Sequence, residues 1–292
     1  MNHDSQSSRQ THEEPASAGS KMGESAERSG TRKVSQAIIV NADDWGRDVD
    51  TTDRSLDCVL AGTVSSVSAM MFMEDSERAA VLARQHGIDA GLHLNFTAPY
   101  SARQCPSLLL EHQQKLACFL RSNRYALVMY HPGLAASFEY VVATQLEEYQ
   151  RLYGFSANRL DGHHHMHLCA NVLLGKLLPA GTLVRRNFSF APGEKSWMNR
   201  RYRNWLDGWL RRRHRLVDFL FSLAPVEPAS RLQRIFSLAK NAVVELETHP
   251  VIPEEYQFLT SGAMSQRSAD LQVARSFEAG FCKPEISGAT TF

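Results

Sequence analysis

The chain has 292 residues, with 32 basic against 31 acidic side chains and a net charge of +1. That length holds one large domain or two small ones, each able to bury a core, and the charge balance argues against a protein held mainly by nucleic acid phosphates or anionic lipid, although a local patch can still do either. Hydrophobic residues at 43% and charged residues at 22% match an average soluble globular chain.

Five cysteines (Cys58, Cys105, Cys118, Cys169 and Cys282) are dispersed without a Cys-x-x-Cys pair, as expected of free thiols in a reducing compartment. Met1 to Lys33 has no apolar core of the signal-peptide kind, and Cys58 to Met73, the longest uncharged stretch, is too short to span a bilayer. The sequence therefore reads as soluble and cytoplasmic, with no transmembrane segment. Residues 1–34 contain no Leu, Ile, Phe, Trp or Tyr, so a disordered tail is expected there, with the fold beginning near Val34.

From that point strands and helices alternate. Ala37 to Val40 is a β-branched apolar run, read as a buried strand. Asp53 to Ala61 has helical spacing with Gly62 to stop it. Val64 to Phe72 reads as a strand. Asp75 is placed to cap a helix through Gln85, which Gly87 ends. Ala90 to Phe96 is strand-like and Leu108 to Leu120 helical. A longer helix runs from Phe138 to Tyr153, closed by Gly154, and Asn158 to Leu160 is a strand. Leu173 to Leu178 is helical up to Pro179, Leu183 to Arg185 and Val243 to Glu247 are strands, and Ala269 to Ala279 is the last helix. This alternation predicts parallel βαβ units in an open sheet or a barrel, with a loosely ordered tail after about Gly280.

One segment departs from the pattern. Lys195 to Leu223 interleaves Trp197, Tyr202, Trp205, Trp209, Leu216 and Leu220 with seven arginines. Trp205, Trp209, Leu216 and Leu220 recur at helical spacing, which predicts a helical insertion or cap packed by one apolar stripe. Its arginines read either as a solvated face or as a platform for an anionic partner: a phosphate-bearing substrate, a membrane surface or nucleic acid.

Four motifs carry chemistry. Asn41-Ala42-Asp43-Asp44-Trp45-Gly46 follows the first strand, where parallel α/β folds place their sites. Adjacent carboxylates repel unless they share a cation or a proton, so one is suited to a metal and the other to a base; an N-cap is the bland alternative. In Gly91-Leu92-His93-Leu94-Asn95 the histidine points away from its flanking leucines, as a core histidine or a ligand. Asp161-Gly162-His163-His164-His165-Met166-His167 gathers four histidines behind an acid, a metal-binding pattern in which the carboxylate orients an imidazole. If that segment stays extended, His163, His165 and His167 share one face. In Glu245-Leu246-Glu247-Thr248-His249-Pro250, the histidine past a buried strand suits a general acid or merely caps the sheet. His131, in His131-Pro132-Gly133, has no strand before it and reads as a loop residue.

In this order the four motifs resemble those of the YdjC-like carbohydrate deacetylases, over roughly Ser35 to Met264. The resemblance implies a distorted TIM-like (β/α) barrel, one bound divalent metal (Mg2+ or Zn2+), and hydrolysis of the acetamide of an N-acetylated sugar or oligosaccharide. It makes Asp44, His93 and His163 the metal ligands, Asp43 the base and His249 the acid. Asp161, His165, His167, Asn95 and Arg185 become candidates for supporting or substrate contacts. Three features depart from the family pattern: Trp45 stands where phenylalanine is usual, Val251 follows His249-Pro250 where glycine is common, and the segment from Asn95 to Ala136 is compact. No nucleic acid partner is expected, and a homo-oligomer is left open. The rival readings are a receiver-type module using the acid pair alone, and a non-catalytic barrel that binds an anionic carbohydrate, lipid or nucleic acid through the Arg/Trp segment.

Overall fold

The computed structural model describes residues 37–122, 125–191, 193–268 and 271–281. The expected N-terminal and C-terminal tails lie outside those residues.

The strands and helices alternate in chain order. Strand β1 (Ala37–Trp45) is followed by α1 (Val49–Leu60), β2 (Ser66–Ala69), α2 (Ser76–His86) and β3 (Ala90–Leu94). Helices α3 (Ser107–Ser122) and α4 (Ala135–Tyr153) lead to β4 (Arg159–Gly162), α5 (Ala170–Leu174) and β5 (Leu183–Val184). Next come α6 (Trp197–Leu210), β6 (Phe219–Ser222), α7 (Ala229–Ala239) and β7 (Val244–Thr248). The described chain closes with α8 (Pro253–Thr260), α9 (Ala263–Ser268), β8 (Gln272–Val273) and α10 (Phe277–Phe281).

The main sheet runs β5-β4-β3-β2-β1-β7-β6, with β8 pairing β1, and every registered pairing is parallel. Its two outer strands curl toward each other. Val184 N donates to Arg215 O at 2.9 Å and Ser189 N to Leu220 O at 2.8 Å, tying the β5 side to the β6 side. The result is the distorted, TIM-like α/β barrel that the family resemblance implied, the barrel alternative of the strand–helix alternation, with chain order equal to spatial order around the ring.

Local chemistry sets the boundaries. The Asp48 carboxylate accepts from Thr51 N at 2.8 Å and so starts α1 at Val49, ahead of the Asp53 start read from spacing. Gly87 and Gly154 end α2 and α4 with φ of 62° and 84°, left-handed backbone that costs glycine little. Strand β2 is shorter than the apolar run around it, because Met70 to Met73 leave the sheet as a buried turn. Helix α5 starts earlier than Leu173 and stops at Leu174.

The Arg/Trp segment is not one amphipathic helix. Helix α6 ends at Leu210, and Phe219–Ser222 is a barrel strand registered on β7, Leu220 opposite Glu245. Leu216 is buried in the loop beyond the helix and Leu220 lies in the β6 strand, so their helical spacing to Trp205 and Trp209 is coincidental. The expected helix over 269–279 is replaced at 272–273 by β8, while α10 begins at Phe277; residues 269–270 lie outside the described set. Helices α7, α8 and α9 had no counterpart in the sequence reading.

The core has two parts. The larger fills the space between the sheet and its helices and includes Trp45, Leu92, Phe96, Phe138, Tyr149 and Ile235. The smaller, Ile39, Leu183, Val217, Val243, Ala274 and Phe277, plugs one end of the barrel. Further along the strands toward their C-terminal ends, the alternate positions Asn41 and Asp43, Ser66 and Ser68, Arg159 and Asp161, and Glu245 and Glu247 are buried and polar. The period of two along each strand makes these one interior face. Such groups are tolerable only if they satisfy one another, and that requirement builds the site.

Candidate metal centre

Two adjacent residues of a regular strand point to opposite faces, yet Asp43 and Asp44 both turn into the barrel. An irregularity between Ala42 and Trp45 puts one extra residue on β1 relative to β2, and Asp44 takes φ 64°. A non-glycine residue there stores strain, a feature that clusters at functional sites. The consequence is that Asp44 reaches His163 and His93, while Asp43 reaches Arg185.

Asp44 Oδ1 lies 2.8 Å from His163 Nδ1 and 3.3 Å from His93 Nε2. Burial would raise this carboxyl, but the hydrogen bonds and charges of His163 and His93 outweigh it and hold Asp44 well below the usual carboxylate range. His93 Nδ1 lies 2.8 Å from Asp161 Oδ1. Asp161 is itself held by Ser68 Oγ, which donates to its Oδ2 at 2.5 Å, and by Arg185 at 2.9 Å. His93 Nε2 is buried without a hydrogen-bond partner. An imidazole oriented by a carboxylate at one nitrogen, with the other free and facing a second carboxylate, is how metal-ligating histidines are held. One ligand atom from each of Asp44, His93 and His163 falls within 4.8 Å of the others. These donors fit a divalent cation, and two imidazoles with one carboxylate suit zinc and, with added water, magnesium.

The charge around this cluster favours a cation strongly. Arg185 is 2% exposed and is shared by four carboxylates: Asp43 at 2.6 Å, Glu245 at 2.8 Å, Asp161 at 2.9 Å and Glu247 at 3.3 Å. One guanidinium cannot neutralise them. The excess falls on His93: burial would lower it, but Asp43, Asp161 and Asp44 overcome that and push it up to about 10. Burial likewise pushes Glu245 up to about 7 against the pull of Arg185, and its Oε2 has no partner.

Asp43 is gripped at both oxygens by Arg185, at 2.6 and 2.7 Å, and its Oδ1 also accepts from Asn41 Nδ2 at 2.8 Å. Across from it stands His249, with Asp43, Glu247 and His249 each offering an atom within 4.8 Å of the others. Glu255 fixes that corner by accepting from His249 N at 2.8 Å and from Thr248 Oγ1 at 2.6 Å. Val251 is not among the left-handed residues, so the turn after Pro250 accommodates a β-branched side chain where glycine was expected. Trp45 is buried, its indole N–H donating to Ala79 O at 3.2 Å.

The histidine cluster does not lie extended. His163–Leu168 form a tight turn with φ of 54° at His164 and 57° at His165, so the expected shared face of His163, His165 and His167 is lost. His163 turns to Asp44, His164 to Thr97 Oγ1 at 3.1 Å, and His165 to Glu247 at 3.1 Å. His167 is fully buried, and burial followed by the nearby His165 pushes it down to about 3. It is therefore neutral, and its Nε2–H donates to Arg185 O at 2.9 Å, fixing the end of β5 from which Arg185 projects. Asn95 is turned away from the cluster: its Nδ2 donates to Ala98 O and its Oδ1 accepts from Thr97 N and Ala98 N. It shapes a loop and makes no contact with the metal cluster.

Sequence reasoning passed over Glu245 and Glu247 as site residues, although both sit in a quoted motif. Their signal is legible: two carboxylates at i and i+2 of an otherwise apolar strand face the same side and demand a buried cation. Arg159 had no such signal. It reaches Asn41 Oδ1 on β1 at 2.9 Å and Val67 O on β2 at 2.9 Å only because the curled sheet lets it cross β3 on the interior face.

The fold and site define a parallel α/β barrel with a buried Asp-His-His cluster, able to hold a metal ion, at the C-terminal ends of its strands. The YdjC-like protein family model matches residues 37–280, and the chain belongs to that family. It is 36% identical over 140 residues to a carbohydrate deacetylase of Mus musculus, covering 46% of this chain and 44% of that protein. It is 30% identical over 139 residues to a chitooligosaccharide deacetylase of Serratia marcescens, covering 46% and 52%. The chain thus spans about half the length of these curated relatives. A solved structure from Enterococcus faecalis V583, named for cellobiose-phosphate cleavage, superposes with a TM-score of 0.55 at 15% identity, covering 83% of this chain and 98% of that one; it speaks for the fold alone.

Proposed function

We propose that this protein hydrolyses the acetamide of an N-acetylated sugar, releasing acetate and an amine. The observation that carries the reading is the Asp44-His93-His163 cluster with the Arg185-clamped Asp43 beside it and His249 opposite, at a barrel mouth. Relatives named as carbohydrate and chitooligosaccharide deacetylases support the substrate class.

Held by Asp44, His93 and His163, a divalent cation would supply a Lewis acid for the acetamide carbonyl and for water. The remaining work belongs to the chain. Asp43 takes a proton from the attacking water, and the two Arg185 contacts fix its carboxylate in orientation. His249 donates a proton to the departing amine nitrogen, so that the C–N bond breaks to a neutral leaving group. Asp161 holds the His93 ring in the tautomer that leaves Nε2 facing Asp44. Glu247 orients His165 at the rim.

The test is acetate release from a panel of N-acetylated sugars by metal-stripped protein reloaded with zinc or magnesium. Release that requires metal supports the reading. Stoichiometric metal binding with no release from any sugar in the panel counts against it.

A further inference from the structure

Helix α6 carries two apolar faces. Leu206 and Leu210 are buried against the barrel. Trp197, Met198, Tyr202 and Trp205 face outward, with Trp197 at 64%, Met198 at 65% and Trp205 at 65% exposure. Arg201 stacks over Trp197 at 5.8 Å, and Arg211 and Arg212 are exposed just past the helix end. Between Lys195 and Arg215 eight basic side chains stand against one acid, Asp207, while the whole chain carries a net charge of only +1. Asp207 is itself buried and paired with Arg186 at 2.7 Å. The positive charge is therefore concentrated on this one element, and the rest of the chain is net acidic.

The strand-to-helix segment that leads into α6 starts at Arg185 and sets Phe188 against the His165 ring at 4.5 Å. A second segment, linked to the histidine turn, exposes Leu127, Val128, Met129 and Tyr130 in succession, with Val128 at 54%. It is anchored to the residues after that turn by Ala170 N donating to Leu127 O at 2.9 Å and by Asn171 bonding both backbone groups of His131.

We propose that these two segments dock the barrel mouth on an anionic membrane surface, with α6 lying in the interface. Tryptophan and tyrosine at headgroup depth, aliphatic side chains below them and arginines toward lipid phosphates form the composition of an interfacial helix. A neutral oligosaccharide would use the flat aromatic rings but has no use for the arginines or for Leu127, Val128 and Met129. A protein partner leaves the concentration of charge unexplained. No helix among the described residues is long and apolar enough to cross a membrane, so the contact is with one surface.

The experiment is cosedimentation with phosphatidylglycerol–phosphatidylcholine vesicles and with pure phosphatidylcholine vesicles. Tryptophan emission is followed in parallel, since Trp45 is buried and Trp197 and Trp205 are not. Preferential binding to the anionic vesicles, with a blue shift quenched by brominated lipid, is the expected result. Arg211→Gln with Arg212→Gln should weaken partitioning roughly tenfold or more, and Trp205→Ser should remove most of the blue shift, with thermal melting unchanged in both. Equal binding to both vesicle types, or none, overturns the proposal. So does a blue shift induced by chitooligosaccharide alone, or a solution dimer that buries Trp205. Vesicle binding is measured without turnover, so its failure is separate from failure of the deacetylase reading.

Discussion

Asp43 and Asp44 show how one backbone irregularity assigns different roles to neighbouring carboxylates. With φ at 64°, Asp44 leaves the strand's alternation and reaches two imidazoles, while Asp43 keeps its inward direction and meets Arg185. If Asp43 is the base, Asp43→Asn keeps one oxygen to accept from Arg185 while losing the carboxylate charge, the second Arg185 bond and the proton acceptor. Acetate release should fall about 10²- to 10⁴-fold, with metal stoichiometry unchanged by elemental analysis; full activity in that variant would remove Asp43 from the role. Glu245 gives a prediction in pH. Burial raises it from the ordinary 4.5 to about 7, so between those values the folded state binds more protons than the unfolded one. Stability from this group is complete at low pH and is lost as pH rises through that window. Urea denaturation of the metal-free protein across the window should show that decline, and Glu245→Gln should flatten it.

The strands act through what they leave room for. At Gly91 an added Cβ would lie 2.7 Å from Arg159 Cζ, because the guanidinium passes over this position to bond Asn41 and Val67 and to cover the Phe277 ring at 4.7 Å. Gly91→Ala must displace a buried cation from its partners. A loss of about 1–3 kcal/mol is expected from such overpacking, read as a lower denaturation midpoint at unchanged slope. The turn His163–Leu168 works similarly: it disperses four imidazoles within five positions to Asp44, Thr97, Glu247 and Arg185, instead of stacking them on one face.

Across the whole molecule, one end of the barrel is plugged by Ile39, Leu183, Val217, Val243, Ala274 and Phe277, and the other holds an excess of carboxylate over guanidinium. A metal held by Asp44, His93 and His163, as proposed, would offset that excess and so act as a folding ligand. At a concentration a hundredfold above its dissociation constant, a divalent ion adds about 2.7 kcal/mol to stability. Calorimetry should show a rise in Tm on metal loading, reversed by chelator. Asp44→Ala should abolish the rise; an equal rise in that variant would place the metal elsewhere.

Much was determined by the sequence alone: the alternation of strands and helices, the caps at Gly87 and Gly154, and the four motifs that close in on one end of the barrel. These are local, since hydrophobic period, glycine backbone freedom and clustered ligand types are read within a few residues. Tertiary structure decided the rest. Leu220 kept helical spacing with Trp205 but pairs as a strand, because β7 offers it hydrogen bonds that no local window contains. Asn95 sits at a strand end beside a candidate ligand, yet its side chain closes its own loop. Arg185 and Arg159 acquire their meaning only when strands far apart in sequence bring carboxylates and other acceptors within hydrogen-bond reach in a dry interior, where an unpaired charge is too costly to keep.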